Sequence, residues 1–211
     1  MPDLYSNVHL VMRWLHVIAG ITWIGHLYFF NFVNVPLQGT LDDATKKLVN
    51  PQLLPRALWW FRWGAMVTFL AGLVLFVMNY FYQGNGVFGA TNLLIDSLTG
   101  RMTPRAMWIL FGMLLGTIMW FNVWGVIWPA QKALLTGKVP ADRVPAVRKR
   151  ALLFSRTNAY LSGPMLFGML APAHYGAISF QAFLMAVGLG LIAIWMSIRC
   201  SSQVGKNRPQ T

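Results

Sequence analysis

The chain has 211 residues, of which 56% are hydrophobic and only 10% are charged. Soluble domains carry about a quarter charged residues. Seventeen Lys and Arg stand against five acidic residues, which gives a net charge of +12. The basic residues lie between apolar runs that are too long for a soluble core, so the charge indicates membrane topology and argues against a nucleic-acid partner. The single cysteine, Cys200, excludes an internal disulfide.

Five apolar runs are long enough to cross the hydrocarbon core of a bilayer, which takes about 20 helical residues. They cover residues 8–35, 58–82, 106–128, 152–173 and 178–198. Pro36 and Pro129 are expected to end the first and third helices, and Pro55 is expected to precede the second. The sequence therefore predicts an all-α fold: a single five-helix membrane domain over residues 1–200, followed by a polar tail over residues 201–211.

Positive charge alternates between the two sides of this predicted bundle. Loops 36–57 and 129–151 and the C-terminal tail contain most of the basic residues, whereas the other side contains only Arg13, Arg101 and Arg105. The positive-inside rule then predicts an N-terminus outside and a C-terminus in the cytoplasm. An odd number of spans agrees with this orientation, and the expected location is the inner membrane of a bacterium.

Two stretches of the sequence resemble each other. Residues 26–38 read HLYFFNFVNVPLQ, and residues 119–131 read MWFNVWGVIWPAQ. Both are predicted to lie at the end of a helix that runs from outside to inside, and both contain an asparagine, then a proline and a glutamine. An internal duplication would explain the similarity, and shared helix-end chemistry is the alternative.

Four histidines are present, namely His9, His16, His26 and His174. His9 and His16 are seven residues apart and therefore share one helix face. His174 is predicted to lie on the same outer side, and an imidazole from each of two helices can hold a b-type haem. His16 and His174 are therefore the candidate iron ligands, and Gly20, one turn from His16, would leave room for the macrocycle.

Three arginines are predicted at the same outer surface, Arg13, Arg101 and Arg105. They are candidates to pair with the haem propionates, because a guanidinium binds a carboxylate through two hydrogen bonds. The alternative is that each arginine extends to the membrane interface without binding a cofactor. Zinc is not expected, since no pair of histidines has close ligand spacing and the predicted spans contain no carboxylate.

A second polar group is predicted in the inner half of the bundle. It comprises His26, Asn31, Asn122, Arg156 and Asn158. One interpretation is a site for quinone or another small substrate, in which His26 handles the proton. The other is simple hydrogen bonding between helices, which is common for such residues in membranes.

Four segments together carry a resemblance to a known family. Residues 13–25 read RWLHVIAGITWIG, residues 55–63 read PRALWWFRW, residues 155–158 read SRTN, and residues 164–167 read PMLF. The chain resembles the membrane domain at the N-terminus of bacterial cytochrome-c-type urate oxidases. The segment around His16 is also similar to the haem-binding membrane family that oxidises protoporphyrinogen, which implies that His16 is a haem ligand. That second family has a lysine within its membrane spans, and neither the third nor the fourth predicted span of this chain contains a lysine.

Three functions follow as expectations. The first is a b-type haem subunit that transfers electrons between quinone and a periplasmic partner, such as a separate c-type cytochrome, since these residues contain no CxxCH motif. The second is a haem-free structural or assembly subunit that docks against other membrane subunits. The third is a membrane oxidase of a small substrate, as the resemblance to urate oxidases implies.

Overall fold

A computed structural model describes residues 3–205, and these residues form five long helices. The helices are α1 (Leu4–Thr40), α2 (Asp43–Tyr80), α3 (Pro104–Leu135), α4 (Val144–His174) and α5 (Phe180–Ser201). A short antiparallel hairpin of β1 (Tyr82–Gly84) and β2 (Val87–Phe88) follows α2, and a 3₁₀ turn (Ala141–Arg143) precedes α4. The all-helical prediction is confirmed. Residues 206–211 of the predicted tail lie outside the described residues.

Among the described residues, four helices are long and apolar enough to cross a membrane: α1, α2, α3 and α5. Helix α4 has 31 residues but a more polar sequence. The outer faces of the helices expose many large apolar side chains, including Leu10, Ile21, Leu114, Leu170 and Leu189. Soluble monomers rarely expose apolar surface on this scale, so the composition and the surface both fit a membrane protein.

Side-chain caps fix where four of the helices begin. Asp3, Asp42, Thr103 and Ser179 each accept a hydrogen bond from a backbone N–H in the first turn of the following helix. Such caps satisfy donors that have no partner within the helix. The helices then pack as two antiparallel pairs, α1 with α2 and α3 with α4, and α5 packs on α4.

The expectation that prolines end the helices is wrong. Pro55 lies inside α2, and α1 and α3 continue past Pro36 and Pro129. In α1 and α3 the proline follows a π-helical segment, Phe29–Asn34 or Asn122–Ile127. Each proline then lies in the first turn of a new α-helical segment, where a missing backbone N–H costs little. The predicted loops 36–57 and 129–151 are therefore partly helical.

The two similar stretches share local structure as well as sequence. In both, the π-helical segment occupies the fourth to ninth positions of the stretch, and α-helix resumes one residue before the proline. Segments of π-helix are rare in proteins and often lie at functional sites. The structural match strengthens the comparison between the two stretches, and internal duplication stays a hypothesis.

A hydroxyl from α5 supports the irregular part of α1. Pro36 offers no backbone N–H to the preceding turn, and Ser201 donates its hydroxyl to the Phe32 carbonyl in that turn. We expect Ser201→Ala to lower the free energy of unfolding by about 1 kcal/mol, because a helix-to-helix hydrogen bond is lost. Thermal or chemical unfolding of the protein in detergent measures this change.

Ser197→Ala is the matched control, because the Ser197 hydroxyl donates to Ala193 within the same helix. We expect the Ser201→Ala effect to shrink in a Pro36→Ala background, where residue 36 regains its own N–H. Equal stability of Ser201→Ala and Ser197→Ala would contradict the proposed role of Ser201.

Candidate functional site

The imidazole of His16 is held against α2 by a hydrogen bond to the backbone. Its Nδ1 lies 2.8 Å from the Thr68 carbonyl oxygen, and only the protonated nitrogen can donate to a carbonyl. This bond therefore assigns the proton to Nδ1 and leaves the lone pair on Nε2. Histidines that bind metals commonly have this arrangement, because the bond orients the ring and fixes the tautomer.

Helix α2 covers the face of α1 that carries His9, His16 and Gly20. A Cβ atom on Gly72 would lie 2.9 Å from His16 Cε1, so the ring fits only because residue 72 is a glycine. His9 Nε2 lies 3.2 Å from Asn79 Oδ1. A Cβ on Gly20 would meet Thr68 at 3.8 Å. His9, His16 and Gly20 therefore do share one face of α1, but the space beside Gly20, where a macrocycle was expected, adjoins α2.

His174 and His16 lie at the same end of the bundle. The Tyr28 hydroxyl and Ser162 Oγ are 2.9 Å apart and join α1 to the antiparallel α4. His16 precedes Tyr28 by twelve residues and His174 follows Ser162 by twelve, which places both about 18 Å from this bond in one direction. No described contact joins the two histidines: His16 packs on α2, whereas His174 is exposed at the end of α4.

The three predicted propionate partners also have separate surroundings. Arg13 in α1 and Arg101 before α3 are exposed. Arg105, in the first turn of α3, lies beside the Tyr80 side chain, and its Nε is buried without a hydrogen-bond partner in the part of the chain that the structure describes. The described contacts do not gather these arginines around His16, so their pairing with a cofactor stays a prediction.

The inner polar residues pair along one stripe of α4, formed by Ser155, Asn158 and Ser162. Their spacing of three and four residues places them on one helix face. Asn158 is fully buried, accepts a hydrogen bond from Asn122 Nδ2 at 2.8 Å, and donates to the Met119 carbonyl at 2.9 Å. This pair links α4 to α3.

The same stripe also binds α1. Asn31 is 1% exposed and donates through Nδ2 to Ser155 Oγ at 3.0 Å, and Ser162 contacts the Tyr28 hydroxyl. Asn31 Oδ1 is buried and has no hydrogen-bond partner among the described residues. Hydrogen bonding between helices therefore accounts for the Asn158 amide and for the Asn122 amide nitrogen, whereas Asn31 keeps one acceptor that no described residue satisfies.

His26 does not join this network in the described contacts. Its Nδ1 lies 2.7 Å from the Thr22 carbonyl one turn earlier in α1, and the ring is half-buried. Arg156 is also half-buried in α4. The residues predicted to form one cluster therefore separate into two groups. The asparagines join a network centred on α4, whereas His26 is bonded to its own helix.

A cavity of about 920 Å³ adjoins this network at the basic end of the bundle. It lies between the second halves of α1 and α3 and the first halves of α2 and α4. Ser155, which binds Asn31, lines it together with amides and aromatic rings. Its polar and aromatic lining residues include Phe30, Asn34, Gln38, Asn50, Phe61 and Gln131. The volume is that of a small-molecule site with a few polar groups in a largely apolar wall.

The charge in this cavity is positive. Lys46, Lys47, Arg148 and Asp43 line it, and Lys46 lies 3.6 Å from Asp43. Lys47 and Arg148 have no ion-pair partner in the described part of the chain. Asp42 lies just before the first residue of α2, where hydrogen bonds from the Thr45 hydroxyl and backbone N–H hold the pKa of its carboxyl below the usual range. The two unpaired cations favour an anionic ligand.

Sequence reasoning missed most of these lining residues. Gln38 and Asn50 pair reciprocally, with N–O distances of 2.8 and 3.0 Å, across the connection from α1 to α2. Gln38 and Gln131 occupy the last position of the two similar stretches, and both line the cavity. That coincidence was the available signal, since the repeated glutamine lies on two sides of one cavity.

Comparison with protein families gives one match over nearly the whole chain. The family model described as urate oxidase N-terminal matches residues 2–47, 38–98 and 87–207. No curated protein and no solved structure shows a significant match. The matched segments overlap and include α1 to α5, and the resemblance seen in the sequence is confirmed. The chain belongs to the urate oxidase N-terminal family.

Proposed function

We propose that all five long helices cross a bacterial inner membrane, with the N-terminus outside and the C-terminus in the cytoplasm. Helix α4 is long enough for a span, and its polar stripe is covered by α1 and α3. The basic connections between α1 and α2 and between α3 and α4 lie at one end, as the positive-inside rule requires. Cysteine labelling at residues 138 and 98 from the two sides of the membrane tests this orientation.

We further propose that the chain is a b-type haem subunit that transfers electrons between quinone and a partner, such as a separate c-type cytochrome or another membrane subunit. The observation that carries this proposal is the hydrogen bond from His16 Nδ1 to the Thr68 carbonyl, which leaves Nε2 free to ligate iron. Membership in a family named for an oxidase supports a redox role.

The residues present fit one iron ligand of such a haem. His16 has the required tautomer and would hold the iron, and His174 would be the candidate for a second ligand because it lies at the same end of the bundle. A bound haem would supply one-electron transfer, with iron held by imidazole. The chain's own contribution is to orient the His16 ring between Thr68 and Gly72 and to surround it with apolar helix.

The test is a dithionite-reduced minus oxidised spectrum of the purified chain, with a pyridine haemochrome assay for stoichiometry. The expected result is a b-type spectrum with about one haem per chain. A folded preparation that contains no haem, and that was never exposed to stripping detergent, would refute the proposal. That outcome would favour a structural subunit that docks against other membrane subunits.

The cavity at the basic end favours a second function, the oxidation of a small anionic substrate. Lys47 and Arg148 provide unpaired positive charge, and the amides provide donors and acceptors for a polar molecule. Urate is the first ligand to test, because the family is named for urate oxidase. A quinone head group is the alternative occupant. It would bind through hydrogen bonds to the amide side chains rather than through ion pairs with the cations.

Equilibrium binding of urate to the purified chain distinguishes these occupants. We expect Arg148→Gln to weaken urate binding about tenfold, through loss of one charge-assisted pair. Lys138→Gln, in the same basic connection but away from the cavity, is the control. Unchanged binding in Arg148→Gln, or equally weakened binding in Lys138→Gln, would reject the cavity as the anion site.

A further inference from the structure

An arginine in α2 lies near the basic end of the bundle and has no carboxylate partner in the part of the chain that the structure describes. The guanidinium carbon of Arg62 lies 3.7 Å from the centre of the Trp128 ring in α3. Its Nε is buried and has no hydrogen-bond partner among the described residues. The ion pair found among these residues joins Lys46 to Asp43 and does not involve Arg62. The residue as a whole is half-buried, and a charged group whose buried N–H has no acceptor is costly, so this position favours a ligand that supplies one.

The groups around Arg62 are donors, cations and aromatic rings. Trp63 packs edge-on against Trp124 with 5.6 Å between ring centres, and the Trp124 indole N–H is also buried without an acceptor within residues 3–205. Lys132 is exposed and lies one turn beyond Trp128 in the same helix. We call these five residues the Arg62 cluster: Arg62, Trp63, Trp124, Trp128 and Lys132. It has positive charge and free donors, and it contains no acid.

The depth of the cluster narrows the choice of ligand. Arg62 lies eighteen residues before Tyr80, the last residue of α2, which corresponds to about 27 Å of helix. The hydrocarbon core of a bilayer is about 30 Å thick. Trp59, Trp60 and Trp63 are 46%, 55% and 41% exposed at this level, as in an interfacial tryptophan belt. Arg62 therefore lies where lipid head groups begin.

We propose that the Arg62 cluster binds the phosphate of an anionic phospholipid in the leaflet at the basic end of the bundle. The guanidinium fork matches phosphate oxygens, and the indole N–H of Trp124 can donate to a phosphate or ester oxygen. Lys132 adds the second positive charge, which favours an anionic over a zwitterionic head group. The proposal requires membrane insertion but neither haem nor a substrate in the cavity.

Native mass spectrometry of the full chain in detergent, titrated with phosphatidylglycerol or phosphatidylcholine, tests this proposal. We expect phosphatidylglycerol to bind at least about tenfold more tightly than phosphatidylcholine to the natural sequence. Arg62→Gln should remove most of that preference, and inorganic phosphate should neither bind nor compete at the same concentration. Arg62→Lys, which keeps the charge but loses the fork, should fall between them.

Arg56→Gln is the matched control. Arg56 lies in the same helix, is exposed, and donates to the Gln52 carbonyl of its own helix. The proposal is overturned if Arg62→Gln retains the preference for phosphatidylglycerol, or if Arg56→Gln loses it to the same extent. Competition by inorganic phosphate would also overturn it, because the site would then bind a free anion. Should Arg62→Gln fail to fold, Arg62→Lys and Trp128→Leu give the same comparison.

Discussion

Replacing His16 by alanine is expected to reduce bound b-type haem from about one per chain to less than about a tenth, because the histidine that would ligate the iron is removed. The His16 ring packs on α2 and keeps its Nε2 free, and it lies in the half of the bundle that also contains His174. The measurement is the pyridine haemochrome content of purified protein. Size-exclusion chromatography and circular dichroism show whether the variant is folded.

His26→Ala is the informative comparison. Both imidazoles belong to α1, both are half-buried, and both lie within hydrogen-bond distance of a backbone carbonyl through Nδ1, at 2.8 and 2.7 Å. The two variants therefore remove similar local bonds but at different depths. Full haem content in His16→Ala, or an equal loss in His26→Ala, would show that His16 has no special part in binding haem.

The sequence predicts the number and type of the helices well, because apolar runs of sufficient length have few other solutions. It does not predict where these helices end. Pro36 and Pro129 look like terminators when only local rules apply, but π-helical segments before them allow the helices to continue. Such segments depend on the packing of several helices, and no simple periodicity reveals them.

The site was predictable in part. Periodicity places His9, His16 and Gly20 on one face, and the structure has all three there, but it cannot show that α2 occupies that face. The polar residues of α4 have helical spacing in the sequence, yet their partners lie more than 30 positions away. The cavity depends on parts of four helices coming together, and the only signal of it in the sequence was that Gln38 and Gln131 occupy the same position in the two similar stretches.

The contact between α4 and α5 gives the largest expected effect on stability. Gly190 faces Gly163 and Pro164 so closely that a Cβ on residue 190 would lie 2.6 Å from Pro164 N and 2.8 Å from Gly163 C. Both neighbours are backbone atoms and cannot rotate away. We expect Gly190→Ala to lower the free energy of unfolding by about 2 kcal/mol, because overpacking at the upper end of its usual cost, about 3 kcal/mol, outweighs the gain of about 1 kcal/mol in helix propensity. Unfolding in detergent measures the loss.

Gly188→Ala isolates the packing contribution, because a Cβ at position 188 meets nothing within 4 Å. Both glycines lie inside α5, so both substitutions gain the same intrinsic helix propensity, about 1 kcal/mol in favour of alanine. The difference between the two variants therefore reports the approach of α5 to α4. If the two variants are equally stable, then the helices can separate at no cost at this crossing. A large loss confined to Gly190→Ala would instead show that α5 is fixed in place on α4 at this crossing. The separate hydrogen bond from Ser201 to Phe32 then joins the same helix to the π-helical segment of α1 that borders the cavity.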